Sequence, residues 1–140
     1  MALDLDALET SFDLVAPRGD ELVDTFYMRL FATAPAVEPL FARTDLAHQK
    51  TMLLATLVLL RKSLRDLGAV VPKLQELGRR HVDYGARPEH YPVVGQVLIA
   101  SMAAVAGDAW RPEYERAWAV AFDAVTAAML EGAGELDLAA

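Results

Sequence analysis

Seven prolines and eight glycines are spaced along the 140 residues so that the runs between them fit helices and little else. Proline lacks the N–H that an interior helical turn needs, and glycine readily adopts the left-handed conformation that ends one. The segment 5–16, with Asp4 or Asp6 as N-cap, reads as a helix that stops before Pro17. A second runs from about Asp20 to Thr33. The stretch "APAVEPLF" (34–41) carries two prolines four apart and admits only a tight turn or a short helical piece. A loop containing Thr44 and Asp45 leads into a long helix from about Ala47 to Leu67, which Gly68 closes. Pro72 suits the first turn of the next helix, and Gly85 marks its end. Pro88 opens another that reaches Gly107; the last opens at Pro112 and fades in "EGAGELDLAA", leaving 132–140 as a frayed tail. No stretch shows the period of two that a strand requires, and no internal repeat is present. The expectation is an all-α fold of six or seven helices with short connections, in one domain spanning 1–140.

A chain of this length buries roughly two-thirds of its unfolded surface. Hydrophobic residues make up 54%, enough for a core and for the lining of a cavity. The formal charge of -7 offers no basic footprint for nucleic acid or an anionic membrane. The absence of cysteine excludes disulfides, thiolate catalysis and cysteine metal sites. The start "MALDLDALET" is acidic and lacks an apolar signal core, and the apolar run "MLLATLVLL" at 52–60 is too short to span a bilayer. A soluble, cytoplasmic protein with no membrane insertion is expected.

Three polar residues sit on apolar helical faces. His81 continues the stripe Val70–Leu74–Leu77, whose steps of 4, 3 and 4 define one face. Tyr27 lies on Val23–Tyr27–Leu30–Phe31–Ala34, and Gln49 heads Gln49–Leu53–Leu57–Leu60–Leu64. Singly, each has a plain reading: a satisfied core histidine, a tyrosine whose hydroxyl reaches the rim, a solvated glutamine. Together they describe a helical pocket with an imidazole on one wall and two hydrogen-bonding groups opposite. Haem is the leading candidate for such a pocket, because it needs one axial protein ligand. A bare zinc ion needs three or four, and His48, His81 and His90 lack the close spacings of such a site. The position over the iron falls on His48 or Gln49; counting back from Pro72 along an uninterrupted helix favours Gln49, and its stripe agrees. No "GxSxG", phosphate-cradling glycine loop, "HExxH" or EF-hand loop is present, and the scattered acidic residues read as solvated faces.

The segments "LGRRHVDYGARPEHYPVVGQVLIASM", "FYMRLFATAPAVEPLF" and "HQKTMLLATLVLL" resemble the bacterial single-domain globins of the Vitreoscilla type, which are also similar to the globin domain of flavohaemoglobins. The resemblance covers nearly the whole chain, and "HYPVVG" ten residues beyond His81 is its most specific element. It implies a globin fold around haem b, with His81 as the proximal iron ligand and Phe41 wedging the haem. Tyr27 and Gln49 are then the distal pair, and Leu53 the distal apolar wall. Leu77 and Val94 line the proximal side, with Tyr91 near the imidazole. Arg80 is a candidate for a haem propionate or, equally, a solvated helix-face charge. The second ring nitrogen of His81 has the Leu74 or Leu77 carbonyl in reach. One departure matters: relatives with a flavin reductase carry a glutamate on the last helix where this chain has Ala133, between Glu131 and Glu135. That weakens the expectation of an electron-rich imidazole.

Two functions follow from the resemblance: reversible binding of oxygen, CO and NO, or nitric oxide dioxygenation with electrons from a separate flavin reductase. A third reading, a cofactor-free helical interaction module, needs no pocket. The sequence leaves the oligomeric state open.

Overall fold

A computed structural model describes residues 3–134. Six α-helices make up the fold: α1 (Leu5–Val15), α2 (Gly19–Thr33), α3 (Leu46–Lys62), α4 (Val71–Asp83), α5 (His90–Ala106) and α6 (Pro112–Gly132). Short 3₁₀ segments join them, and no strand occurs among the described residues. Asp4, not Asp6, caps α1: its carboxylate accepts the Ala7 N–H at 3.1 Å. Asp45 does the same for α3 through the His48 N–H at 3.3 Å. The "APAVEPLF" segment forms a 3₁₀ turn, Pro35–Phe41, as two prolines dictate.

Two boundaries differ from expectation, the end of α3 and the start of α5. α3 ends at Lys62 rather than Leu67, because the Ser63 N–H bonds the Leu59 and Leu60 carbonyls at 3.0 and 3.1 Å and tightens the last turn. Leu64 still reaches the core, so the apolar stripe outlasts the helix that carries it. α5 begins at His90 rather than Pro88, where the His90 Nδ1 accepts the Arg87 N–H at 3.1 Å and closes the preceding turn. α6 stays helical to Gly132, with the chain turning at Gly134; the rest of the expected tail, 135–140, lies outside the described residues.

The core gathers α1, α2, α5 and α6 around Phe12, Leu22, Leu98, Met102 and Trp118. A deep polar link in it is satisfied: Trp118 Nε1 donates to Ser11 Oγ at 2.8 Å, and Ser11 donates to the Ala7 carbonyl at 2.6 Å. α5 buries Val97, Leu98, Met102 and Val105 in this core. Among the described residues the helical stretch His90–Ala109, rather than 52–60, is the one long and apolar enough to cross a membrane by length and composition. A smaller cluster, Leu60, Val70, Leu74 and Met129, joins α3, α4 and α6 at one end of the fold. Beyond it α3 and α4 diverge. α4 packs closely on α6, α2 on α5, and the space between α3 and α4 is left as a cleft.

Candidate functional site

The cleft is open at its mouth and holds a cavity of about 190 Å³. α3 supplies Gln49, Leu53 and Leu57 along one wall, and α4 supplies Leu77 and His81 on the other. The floor comes from Tyr91 and Val94 on α5 and from Phe122, Val125 and Met129 on α6. The helix periods explain the walls. Gln49, Leu53 and Leu57 stand four apart on α3; Leu77 and His81 stand four apart on α4.

His81 is partly buried, and its Nδ1 lies 2.7 Å from the Leu77 carbonyl oxygen. A carbonyl only accepts, so the proton sits on Nδ1 and Nε2 keeps its lone pair. Burial lowers the His81 pKa, against the opposing pull of that backbone hydrogen bond, and favours the neutral ring. A neutral imidazole with a bare Nε2 is a metal donor. The Tyr91 ring stands 6.3 Å from the imidazole, and the exposed Tyr84 ring 5.6 Å away. Ala133 caps α6 with its N–H on the Met129 carbonyl, and Glu131 accepts from Gln75 Nε2 at 2.9 Å instead of approaching His81.

Tyr27 is 4% exposed, packed edge-on against Phe26 and Phe41 with ring centroids 4.9 and 5.8 Å away. Burial pushes its phenol pKa up, while a hydrogen bond from the Gln49 side chain opposes the rise. Phe41 completes the aromatic group, 5.4 Å from Phe31. His48 is exposed on the next α3 position, outside the cleft lining.

Seven of the anticipated residues therefore meet at one place: His81, Leu77, Gln49, Leu53, Tyr91 and Val94 directly, and Tyr27 through Gln49. Phe41 touches the group from behind. Arg80 does not line the cleft. It borders an adjoining groove and faces Glu76 at 3.4 Å, with 55% of its side chain exposed. Met52, Thr56, Phe122, Val125 and Met129 also line the cleft, and nothing in the sequence marks them. Among the described residues no group of three or more His, Asp or Glu side chains could hold a bare metal ion. A separate cavity between Leu64, Val70 and Trp118 is lined by apolar side chains and offers almost no polar surface to orient a ligand.

The globin family model matches residues 24–129, which include both cleft walls and the floor. This chain belongs to the globin family. Over 128 residues the globin is 27% identical to a flavohemoprotein of Bacillus subtilis, covering 90% of this chain and 32% of that protein. A flavohemoprotein of Deinococcus radiodurans is 33% identical over 106 residues, covering 74% of this chain and 26% of its own length. The chain thus spans about a third or less of the curated relatives it matches. In fold it is similar to a bacterial globin from Campylobacter jejuni, with a TM-score of 0.81, 21% identity and coverage of 94% and 95% of the two chains.

Family membership implies haem, and the donor set of this globin fits that group. One lone-pair nitrogen stands on an otherwise apolar wall, with hydrogen-bonding groups across the cleft and, among the described residues, no second ligand set competing for the metal. The apolar lining suits a macrocycle, and the open mouth suits its charged edge.

Proposed function

We propose that this chain, a single globin domain, holds haem b through His81 and reversibly binds oxygen, CO and NO under the Tyr27–Gln49 pair. The observation that carries the reading is the tautomer of His81: Nδ1 committed to the Leu77 carbonyl leaves Nε2 as a lone-pair donor on the cleft wall. When bound, haem would supply an iron with an open coordination position for a diatomic gas. Leu77 and Val94 would pack its proximal face, Leu53 its distal face, and Phe41 its edge. Tyr91 would bound the proximal side of the imidazole. Arg80 would reach a propionate from the rim by exchanging its Glu76 partner.

Tyr27 and Gln49 act as one unit. Gln49 holds the phenol oxygen, and the Tyr27 hydroxyl donates to whatever ligand carries partial negative charge. CO titration of the reduced, haem-reconstituted protein tests the proposal. One CO per chain is expected, with ligand-free ferrous haem mostly five-coordinate. A six-coordinate ferrous spectrum abolished by His48→Ala would place His48, not Gln49, over the iron.

Nitric oxide dioxygenation is the second reading. Its support is that curated relatives matching over most of this chain are flavohemoproteins roughly three times its length. The chain would then draw electrons from a separate flavin reductase. Sustained nitric oxide consumption on adding such a reductase and NADH favours the enzyme; consumption that stops at one equivalent favours the binder.

A further inference from the structure

We propose that Gly78 and Gly132 are positioning residues that set where His81 stands relative to the haem, by letting α4 and α6 meet backbone to backbone. A Cβ on Gly78 would lie 1.9 Å from the Met129 carbonyl oxygen, and one on Gly132 would lie 1.9 Å from that of Gln75. The obstructing atoms are backbone, so no side chain can swing aside to admit a methyl group. The contacts are reciprocal. Gln75 precedes Gly78 by three residues and Met129 precedes Gly132 by three, so each glycine faces a residue one turn before the other. Two points fix both the spacing and the angle of a helix crossing, where one point would leave a pivot. Gln75 Nε2, donating to Glu131 at 2.9 Å, clamps the same crossing from the surface. Glycine is a poor residue for the middle of a helix, so its place at 78 is explained by this approach rather than by propensity.

The crossing lies one turn from the iron ligand. Gly78 is buried three residues before His81, and the imidazole is oriented by α4's own Leu77 carbonyl at 2.7 Å rather than by a side chain of α6. α4 packs closely on α6 while its other side faces the cleft. A change in the α4–α6 distance therefore carries the Leu77 carbonyl, the ring and Nε2 together. The inference rests on His81 as the haem ligand.

The test compares Gly78→Ala, Gly132→Ala and Gly19→Ala in the haem-loaded protein. Three readouts are taken: the iron–histidine stretching frequency of the ferrous protein, haem transfer from the ferric protein to a scavenger apoglobin, and the thermal midpoint. Gly19 is the control, since its Cβ would meet Leu54 side-chain atoms at 2.9 Å on the α2–α3 side and leave α4 alone. Gly132 ends α6, where the last turn takes up only part of the clash and the rest still bears on the Gln75 backbone of α4, so this variant folds even if Gly78→Ala does not. The expected result is a shifted stretch and haem loss faster by about tenfold in Gly132→Ala, the factor that one modest loss of binding free energy produces. Gly78→Ala shifts further in the same direction, and Gly19→Ala lowers the midpoint only. A wild-type stretch and haem-loss rate in Gly132→Ala, with a lowered midpoint, would overturn the inference while leaving His81 in place. No iron–histidine band in the wild-type protein would overturn the haem reading and this inference with it.

Discussion

At position 27 a phenylalanine would pack against Phe26 and Phe41 as well as the tyrosine does, so what distinguishes the residue is one hydroxyl held by Gln49. A buried hydroxyl aimed at a ligand with partial negative charge makes a charge-assisted hydrogen bond of roughly 1.5–3 kcal/mol. Tyr27→Phe is therefore expected to speed oxygen release by roughly tenfold to a hundredfold. CO, which carries little charge, should leave at nearly its original rate. Stopped-flow dissociation of both gases checks this; equal, small effects would reduce Tyr27 to a packing residue. Tyr27, Gln49 and His81 were legible in the sequence because a polar atom on an apolar stripe breaks a pattern. Phe122, Val125 and Met129 were not, because an apolar residue facing a cleft has the same spacing as one facing a core. Arg80 could not be read either way: a helix-surface arginine looks the same in sequence whether its partner is a propionate or Glu76.

Proline and glycine spacing gave the six helices, and local hydrogen bonds then moved their ends. Counting back from Pro72 assumed a continuous α3, yet Ser63 stops it early. Gln49 faces the cleft all the same, because the stripe within α3 decides its direction. Asp45 starts that helix, one turn before Gln49. Asp45→Ala should cost about 1 kcal/mol of stability by chemical denaturation. Oxygen release should quicken too, as the first turn that carries Gln49 loosens. The other end of α3 and the turn that follows it are tied to α1 by Arg61 with Asp13 at 3.0 Å and by Arg65 with Glu9 at 2.7 Å. Hydrogen bonds from these arginines hold the Glu9 and Asp13 carboxyls below their ordinary values of 4.5 and 3.8. A carboxyl depressed in the folded state contributes stability that is present above its ordinary pKa and is lost as pH falls through the depressed one. The pairs are exposed, so the effect is small and screened by salt. Denaturation of wild type against the Arg61→Ala, Arg65→Ala double variant should show a modest gap at pH 7 in low salt. The gap should close on acidification below about pH 4, or in high salt; a gap constant from pH 7 to 3 would mean that the arginines act by packing alone.

At the scale of the molecule, the fold is a set of helices packed tightly on three sides of a cleft whose fourth side, between α3 and α4, does not close on itself. A chain with 54% hydrophobic residues could fill that space with side chains, and it does not. Haem held as proposed, between His81 and the Tyr27–Gln49 pair, would account for the gap, for the apolar walls and for the imidazole placed on them. The fold was legible because helices, breaks and stripes are local. The α4–α6 crossing at Gly78 and Gly132 was not, because two glycines 54 positions apart in the chain carry no local mark of their contact. The account stands on His81 as the iron ligand. Absorption spectra of the reduced protein with and without CO, for wild type and for His81→Ala, His48→Ala and His90→Ala, test it most directly. Wild type, His48→Ala and His90→Ala should give the spectrum of a histidine-ligated haem and its CO adduct, and His81→Ala should lose the haem or hold it without that ligand. A normal histidine-ligated spectrum in His81→Ala would contradict the account.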